Sequence, residues 1–292
     1  MKLSRTDRVY QHIIRILIAL ISLIALYPLL YVVVLSLTSE AEWTAKGGIV
    51  LWSDRPTIIG YVNVIQKTPI FMNALGISAL RVLVGTPIIL FFTYVMGYVL
   101  SRKGLPGRNG LLIFVLITIL FSGGMIPTYL VVKDFHLLDR FWVYVIPGLV
   151  DSWGVLVFKQ FFENIPQSVI ESAEIDGANE IVIMFWIVLP MSTAVLAAMA
   201  LFNAVGQWNS WFDALIYIRS ENLMPIQLII YTLFQTNTQQ VFNGISQSEF
   251  DRSSIISMRM VLTVVGTLPI LVIYPFLQKY FVKGVYVGSV KG

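Results

Sequence analysis

The sequence predicts an all-α, polytopic membrane protein with six transmembrane helices. Three observations predict it. Hydrophobic residues make up 57% of the 292, and charged residues only 12%, whereas about a quarter of a soluble domain is charged. The mean hydropathy is +0.79. Six apolar stretches are each long enough for a bilayer core of about 30 Å, which takes roughly 20 helical residues. The same composition excludes other classes. With no cysteine, neither a disulfide framework nor a thiolate metal site can form. The apolar content excludes disorder, and a soluble one-core enzyme would need more polar surface.

The spans follow in order: Ile13 to Leu37, a stretch within Phe71 to Leu100, Leu111 to Val132, Phe141 to Phe162, Val182 to Val205, and Ile256 to Phe281. The first is too long for a signal-peptide core and lacks a small-residue cleavage site after it. Pro28, Pro87, Pro127, Pro147, Pro190, Pro269 and Pro275 punctuate the spans. In membrane helices such prolines are tolerated where neighbours satisfy the freed carbonyls.

Basic residues set the direction. Lys2, Arg5, Arg8 and Arg15 precede or open the first span. Arg102, Lys103 and Arg108 fill the connection between spans two and three, and Lys279, Lys283 and Lys291 lie at the C-terminus. With six spans all three groups fall on one side, so both termini are expected to be cytoplasmic. On the other side Lys46, Arg55 and Lys67 are balanced by Glu40, Glu42 and Asp54, and Lys133 and Arg140 by Asp134 and Asp139.

The connection between spans four and five runs from Glu163 to Glu180. After Pro166, Ser168 followed by Glu171 fits a capping box. Val169, Ile170 and Ala173 line one face of the short helix this predicts. Gly177 suits a left-handed end, and a second helix is expected to restart near Asn179. The result is an amphipathic surface helix bearing Glu171, Glu174, Asp176 and Glu180. Two readings are open: a solvated linker helix, or a helix shaped for a groove on a soluble basic partner.

Glu171-Ser172-Ala173, three residues, Gly177, nine residues, then Ile187-Val188-Leu189-Pro190 resembles the EAA motif of binding-protein-dependent ABC importer permeases. Ser172 is the one departure from that pattern. The run Ser101 to Arg108, the run Gln207-Trp208-Asn209 and the C-terminal run Phe281 to Gly292 are similar to the carbohydrate branch, which includes the smaller maltose permease. The subgroup for complex oligosaccharides, alginate-like or pectin-derived sugars is the nearest resemblance. It implies a type I importer permease fold with residues 1–292 as a single transmembrane domain. The coupling loop is then 163–186, and the extracytoplasmic loops are about 38–70 and 208–256. The second of these is polar around Gln239, Gln240 and Asn243 and would face the binding protein.

The resemblance further implies an ATP-driven importer for an oligosaccharide or polysaccharide-derived sugar, in the cell membrane. This chain would be half of the pathway and no enzyme. No Gly-x-x-x-x-Gly-Lys-Ser/Thr run occurs in it, so it has no P-loop. ATP and magnesium would be held by two partner ATP-binding subunits, and no cofactor by this chain. A second, homologous permease, an extracytoplasmic sugar-binding protein and membrane lipid complete the partners, with no nucleic acid. Glu171, Ser172, Ala173, Asp176, Gly177, Leu189 and Pro190 would form the ATPase-coupling element. Val287 to Gly292 would also reach the ATPases.

Candidate pathway residues are Asp151, Trp153, Asn203, Gln207, Trp208 and Asn209. Asp151 falls near the middle of the fourth span, where an ionisable group marks function by default. A structural carboxylate bonded to another helix is the competing reading, and an ion-coupled secondary transporter using Asp151 is the alternative function. Gly154 would admit a sugar or a neighbouring helix. Asn203 and Gln207, four residues apart, share a face and form either a cavity lining or an interhelical pair. Trp208 and Trp211 are equally well explained by an interface belt. Arg81 is expected to snorkel. His12 and His136 are read as incidental, and no metal site is expected.

Overall fold

The computed structural model describes residues 5–67, 69–235 and 257–273. Among these the regular structure is helical, with no strand. They fall into two compact units, one built from Met1–Pro69 and Thr232–Leu268, the other from Ile70–Tyr231 and Pro269–Gly292.

In the first unit, α1 (Arg5–Ser36) carries Pro28 in its interior without a break. A short α2 (Glu40–Ala45) is capped by Ser39, and α3 (Ile59–Lys67) follows. Ser36 and Tyr61 share a hydrogen bond of 2.7 Å. Gly60 lies so close to α13 (Ser257–Ile273) that a Cβ would stand 2.9 Å from Ser257 Oγ and 3.1 Å from Val261 Cγ2. The charge balance expected of this segment is direct: Lys46 pairs with both Glu42 and Asp54 at 2.8 Å. Lys46, then the Asp54 N–H, hold the Glu42 carboxyl down to about 2.

The second unit is organised by α4 (Pro69–Ser101). It contains a π-helical turn at Arg81–Gly85, just ahead of Pro87. A proline lacks the N–H for the usual bond, and its ring crowds the carbonyl four residues back, which favours a widened turn there. The same arrangement recurs in α9 (Glu180–Met191), where the π-turn Ile183–Val188 precedes Pro190. Between these helices α7 (Ser152–Glu163) packs on α4. Tyr94, Tyr98, Phe158, Phe162, Ile170, Ala173, Ile183 and Met199 form their shared core. Tyr94 also donates to the Met184 carbonyl at 2.7 Å.

Several spans differ from expectation. Two described helices, Tyr10–Ser36 and Pro69–Ser101, are long and apolar enough to cross a membrane, and two bent pairs could each serve as one more. The third span is two helices, α5 (Arg108–Leu120) and α6 (Met125–Asp134), bent by 115°. Its break is Phe121 to Gly124, where Gly124 has φ +84 in a region nearly reserved for glycine. The fifth span is α9 followed by α10 (Thr193–Asn209), bent by 82° at Ser192. There Pro190 weakens the ladder, and the buried Ser192 hydroxyl bonds back to the Val188 and Leu189 carbonyls.

The fourth span is also interrupted. A 3-10 turn, Phe141–Tyr144, is followed by irregular chain, and the helix begins only at Ser152. Of the sixth span, 257–273 is helical and the remainder lies outside the described residues. The segment after Trp208 is not an open loop throughout. It holds α11 (Phe212–Tyr217) and an apolar α12 (Ile226–Gln235), where Ile226, Leu228 and Ile229 are buried. Its polar run around Gln239 and Asn243, and the C-terminal run from Phe281, lie outside the described residues.

Candidate functional site

The segment 163–186 builds a short helix, α8 (Gln167–Ile175). It starts two residues earlier than a Ser168 cap requires. Pro166, at φ −55 and ψ 125, is the first non-helical residue, and no side chain caps the helix. Ser168 therefore lies inside the first turn, where its carbonyl accepts the Ser172 hydroxyl at 2.8 Å.

The C-terminal end is as the sequence predicts. Gly177 has φ +83. The Ala178 N–H reaches the Ala173 carbonyl at 2.9 Å, and the Gly177 N–H the Glu174 carbonyl at 3.1 Å. These two bonds are a Schellman closure. Asp176 is the C-cap. Asn179 then caps α9 by accepting from the Val182 N–H at 3.0 Å.

Only one face of α8 is anchored. Ile170 and Ala173 are buried in the core, while Glu171, Ser172 and Asp176 are exposed. Ile175 is 86% exposed, so an apolar side chain stands between two free carboxylates. Leu189 packs against the core from α9, and Pro190 is exposed.

The acids of this segment divide into two sets. Glu174 and Glu180 both pair with Arg102, at 2.8 and 2.7 Å. Tyr98 donates to the other Glu180 oxygen at 2.5 Å. Glu163 pairs with Arg108 and with Lys159. Glu171 and Asp176 are the two left facing outward. Sequence reasoning singled out neither Tyr98, Arg102 nor Arg108 as a partner here. The basic run after span two was visible, but its acids lie far away in the chain.

The pathway candidates do not form one cluster. Asp151 is the N-cap of α7, accepting from the Trp153 N–H at 3.1 Å. The irregular chain before Ser152 places it at a helix end. The Asp151 N–H donates to Thr93 Oγ1 at 3.0 Å. Gly154 admits a neighbouring helix: a Cβ there would meet Met199 Cε at 2.8 Å and Thr93 Cγ2 at 2.9 Å. Trp153 is exposed and meets Phe202 edge to face.

Since Asn caps as well as Asp, Asp151→Asn is expected to leave the melting temperature unchanged. Asp151→Ala is expected to cost about 1 kcal/mol, read from thermal unfolding of the purified protein. A transport defect in Asp151→Asn at unchanged stability would restore a substrate role.

Gln207 belongs to a buried polar cluster around Arg81. Arg81 does not snorkel; it is 1% exposed, because a counter-charge and a ring enclose it. Its Nη2 lies 2.6 Å from Asp213 Oδ2, and its Nε and Nη2 donate to Gln207 Oε1 at 3.4 and 3.3 Å. Its guanidinium carbon lies 4.0 Å from the Tyr144 ring centre. Gln207 thus bonds between helices. Asn203 stands one turn away, its buried Oδ1 without a hydrogen-bond partner. Trp208 is buried and Trp211 stacks on Tyr231 at 3.8 Å, an interior setting rather than a belt. Asn209 is exposed. Among the described residues no group of three or more His, Asp or Glu could hold a metal ion.

No family model matches the chain. Over 275 residues it is 40% identical to Protein LplC of Bacillus subtilis (strain 168), covering 92% of this chain and 90% of that protein. It is 35% identical to the polygalacturonan/rhamnogalacturonan transport system permease protein YtcP of the same organism, covering 98% and 99%. Among solved structures, it matches a chain of a bacterial ABC transporter involved in import of the acidic polysaccharide alginate. The TM-score is 0.87 at 27% identity, covering 96% of this chain and 99% of that one.

Proposed function

The chain belongs to the permease subunits of carbohydrate ABC importers, integral proteins of the cell membrane, and from this we infer its role in the transport cycle. It forms half of a translocation pathway for an oligosaccharide released from a polysaccharide. The polygalacturonan/rhamnogalacturonan cargo of the YtcP system and the alginate cargo of the solved importer support that class. A second, homologous permease supplies the other half, and a sugar-binding protein delivers the cargo. The chain crosses the membrane six times with both termini in the cytoplasm. It performs no chemistry, since ATP and magnesium are held by two partner subunits.

The single observation carrying this reading is the build of α8. Its inner face is buried, its end is locked by the Schellman turn at Gly177, and Glu171, Ile175 and Asp176 face out. Such a helix seats an apolar knob in a cleft, with carboxylates placed for charge-assisted bonds to basic groups. ATP-driven closure of the partner subunits moves α8, and the core shared with α4, α7 and α9 carries the motion into the bundle. Asn203 on α10 and Thr86 on α4 each bury a side-chain oxygen without a hydrogen-bond partner, polar groups that an opening of the bundle would offer to a sugar.

Glu171→Ala and Gly177→Val are expected to abolish binding-protein-stimulated ATP hydrolysis in the purified complex. The chain should still insert and co-purify with a second permease and the ATPase. Gly177→Val forces a branched side chain into a left-handed backbone. Full stimulation in an assembled Gly177→Val complex would exclude α8 as the coupling element.

A further inference from the structure

The connection between α4 and α5 grips the coupling segment on both sides of its hinge. Gly177 is the turn about which α8 could swing relative to α9. Glu174 lies three residues before it and Glu180 three after. One guanidinium spans the two: Arg102 Nη2 is 2.8 Å from Glu174 Oε1 and 2.7 Å from Glu180 Oε1, and its Nε is 3.1 Å from the latter. Tyr98, one turn earlier on α4, holds the second Glu180 oxygen. At the other end of the same connection, Arg108 bonds both the Leu100 carbonyl and Glu163, the last residue of α7.

The planar fork of arginine suits a shared grip of this kind. A nine-residue helix anchored by Ile170 and Ala173 alone is marginal in isolation, and a push on its outer face would otherwise be spent in rotation about Gly177. We infer that Arg102 is a positioning residue: it fixes the angle across the Gly177 turn so that a push on α8 is delivered to α4 and α9. This rests on the coupling role proposed above for α8. The pairs are partly exposed, and such pairs add little stability. Assembly therefore survives loss of the tie while transmission does not.

The chain has no cysteine, so paired spin labels can be introduced at Ser168→Cys and Asn109→Cys, both exposed positions. A second pair, Met72→Cys and Leu215→Cys, reports on the far end of α4 and on α11. Both pairs are measured in the complete complex with cysteine-free partners, before and after trapping with ATP and vanadate. In the otherwise wild-type chain the first distribution is expected to stay narrow and the second to shift. Arg102→Gln should trap nucleotide normally, roughly double the width of the first distribution as the segment loosens, and lose the shift of the second. The exchange variant Arg102→Glu/Glu174→Arg, which re-forms a pair across the turn, should recover both.

An unaltered second shift in Arg102→Gln, when Gly177→Val abolishes it, overturns this inference alone. If Gly177→Val also keeps the shift, or the wild type shows none on trapping, the coupling role of α8 fails and the inference fails with it.

Discussion

Asp213→Ala should lower the stability of the permease by about 3–5 kcal/mol, the usual cost of leaving a buried charge without its partner. Arg81 is enclosed on α4, and among its partners Asp213 supplies the compensating charge. The Gln207 oxygen, the Ser210 carbonyl and the Tyr144 ring would remain, but none of them is an anion. Asp213 also accepts from the Ser210 hydroxyl and the Ala214 N–H, so the start of α11 would loosen as well. Against total stabilities of about 5–15 kcal/mol, such a loss removes much of the folded population. At about 2–4 °C per kcal/mol, the purified chain should melt roughly 10 °C lower. The double variant Arg81→Met/Asp213→Leu should recover most of this, since replacing a buried ion pair with apolar groups is often neutral. A single variant that melts with the wild type would show the pair to be dispensable.

Gly97→Leu is expected to destabilise by at least about 3 kcal/mol, at the upper end of overpacking effects. At Gly97 the helices α4 and α7 touch through backbone. A Cβ there would stand 2.6 Å from Phe158 Cβ, 3.2 Å from the Val155 carbonyl oxygen and 3.3 Å from the Lys159 nitrogen. No rotamer relieves those contacts, so the helices must separate and the aromatic cluster of Tyr94, Phe158 and Phe162 must open. Gly97→Ala should fall between, because the clash outweighs the helix propensity gained, which is about 1 kcal/mol. Gly206→Ala is the control: a Cβ there meets nothing within 4 Å, and the melting temperature should not fall. Equal yields and melting for Gly97→Leu and Gly206→Ala would refute the close crossing.

What the sequence made legible was local. The end of α8 at Gly177 and the restart at Asn179 depend on a few neighbouring residues, and capping rules find them. The start was misplaced by two residues because Ser168 and Glu171 matched a capping box, while Pro166 already set the entry. The bend at Ser192 had its signal in Pro190, one of the prolines that punctuate the spans, whereas continuous apolarity hid the bend at Gly124. Arg81 and Arg102 could not be placed from sequence at all. A helix apolar all round offers no polar side to phase it, and their acidic partners stand 132, 72 and 78 residues away. The family was legible because its motif joins a turn, a small residue and a proline at fixed spacing.

The π-turn at Arg81–Gly85 has a consequence for the circumference of α4. An α-helix advances about 100° per residue, and a π-turn takes in one residue more than an α-turn. On a regular helical wheel, the residues buried before the turn, Phe71, Ala74, Ser78 and Arg81, fall on one arc. Those buried after it, Ile89, Thr93, Gly97 and Leu100 among them, are centred about 100° further round. The extra residue cancels that offset, so the two arcs join into one continuous seam along the helix. Any map of this helix drawn with a uniform period therefore assigns half of its residues to a side more than a quarter turn from where they stand.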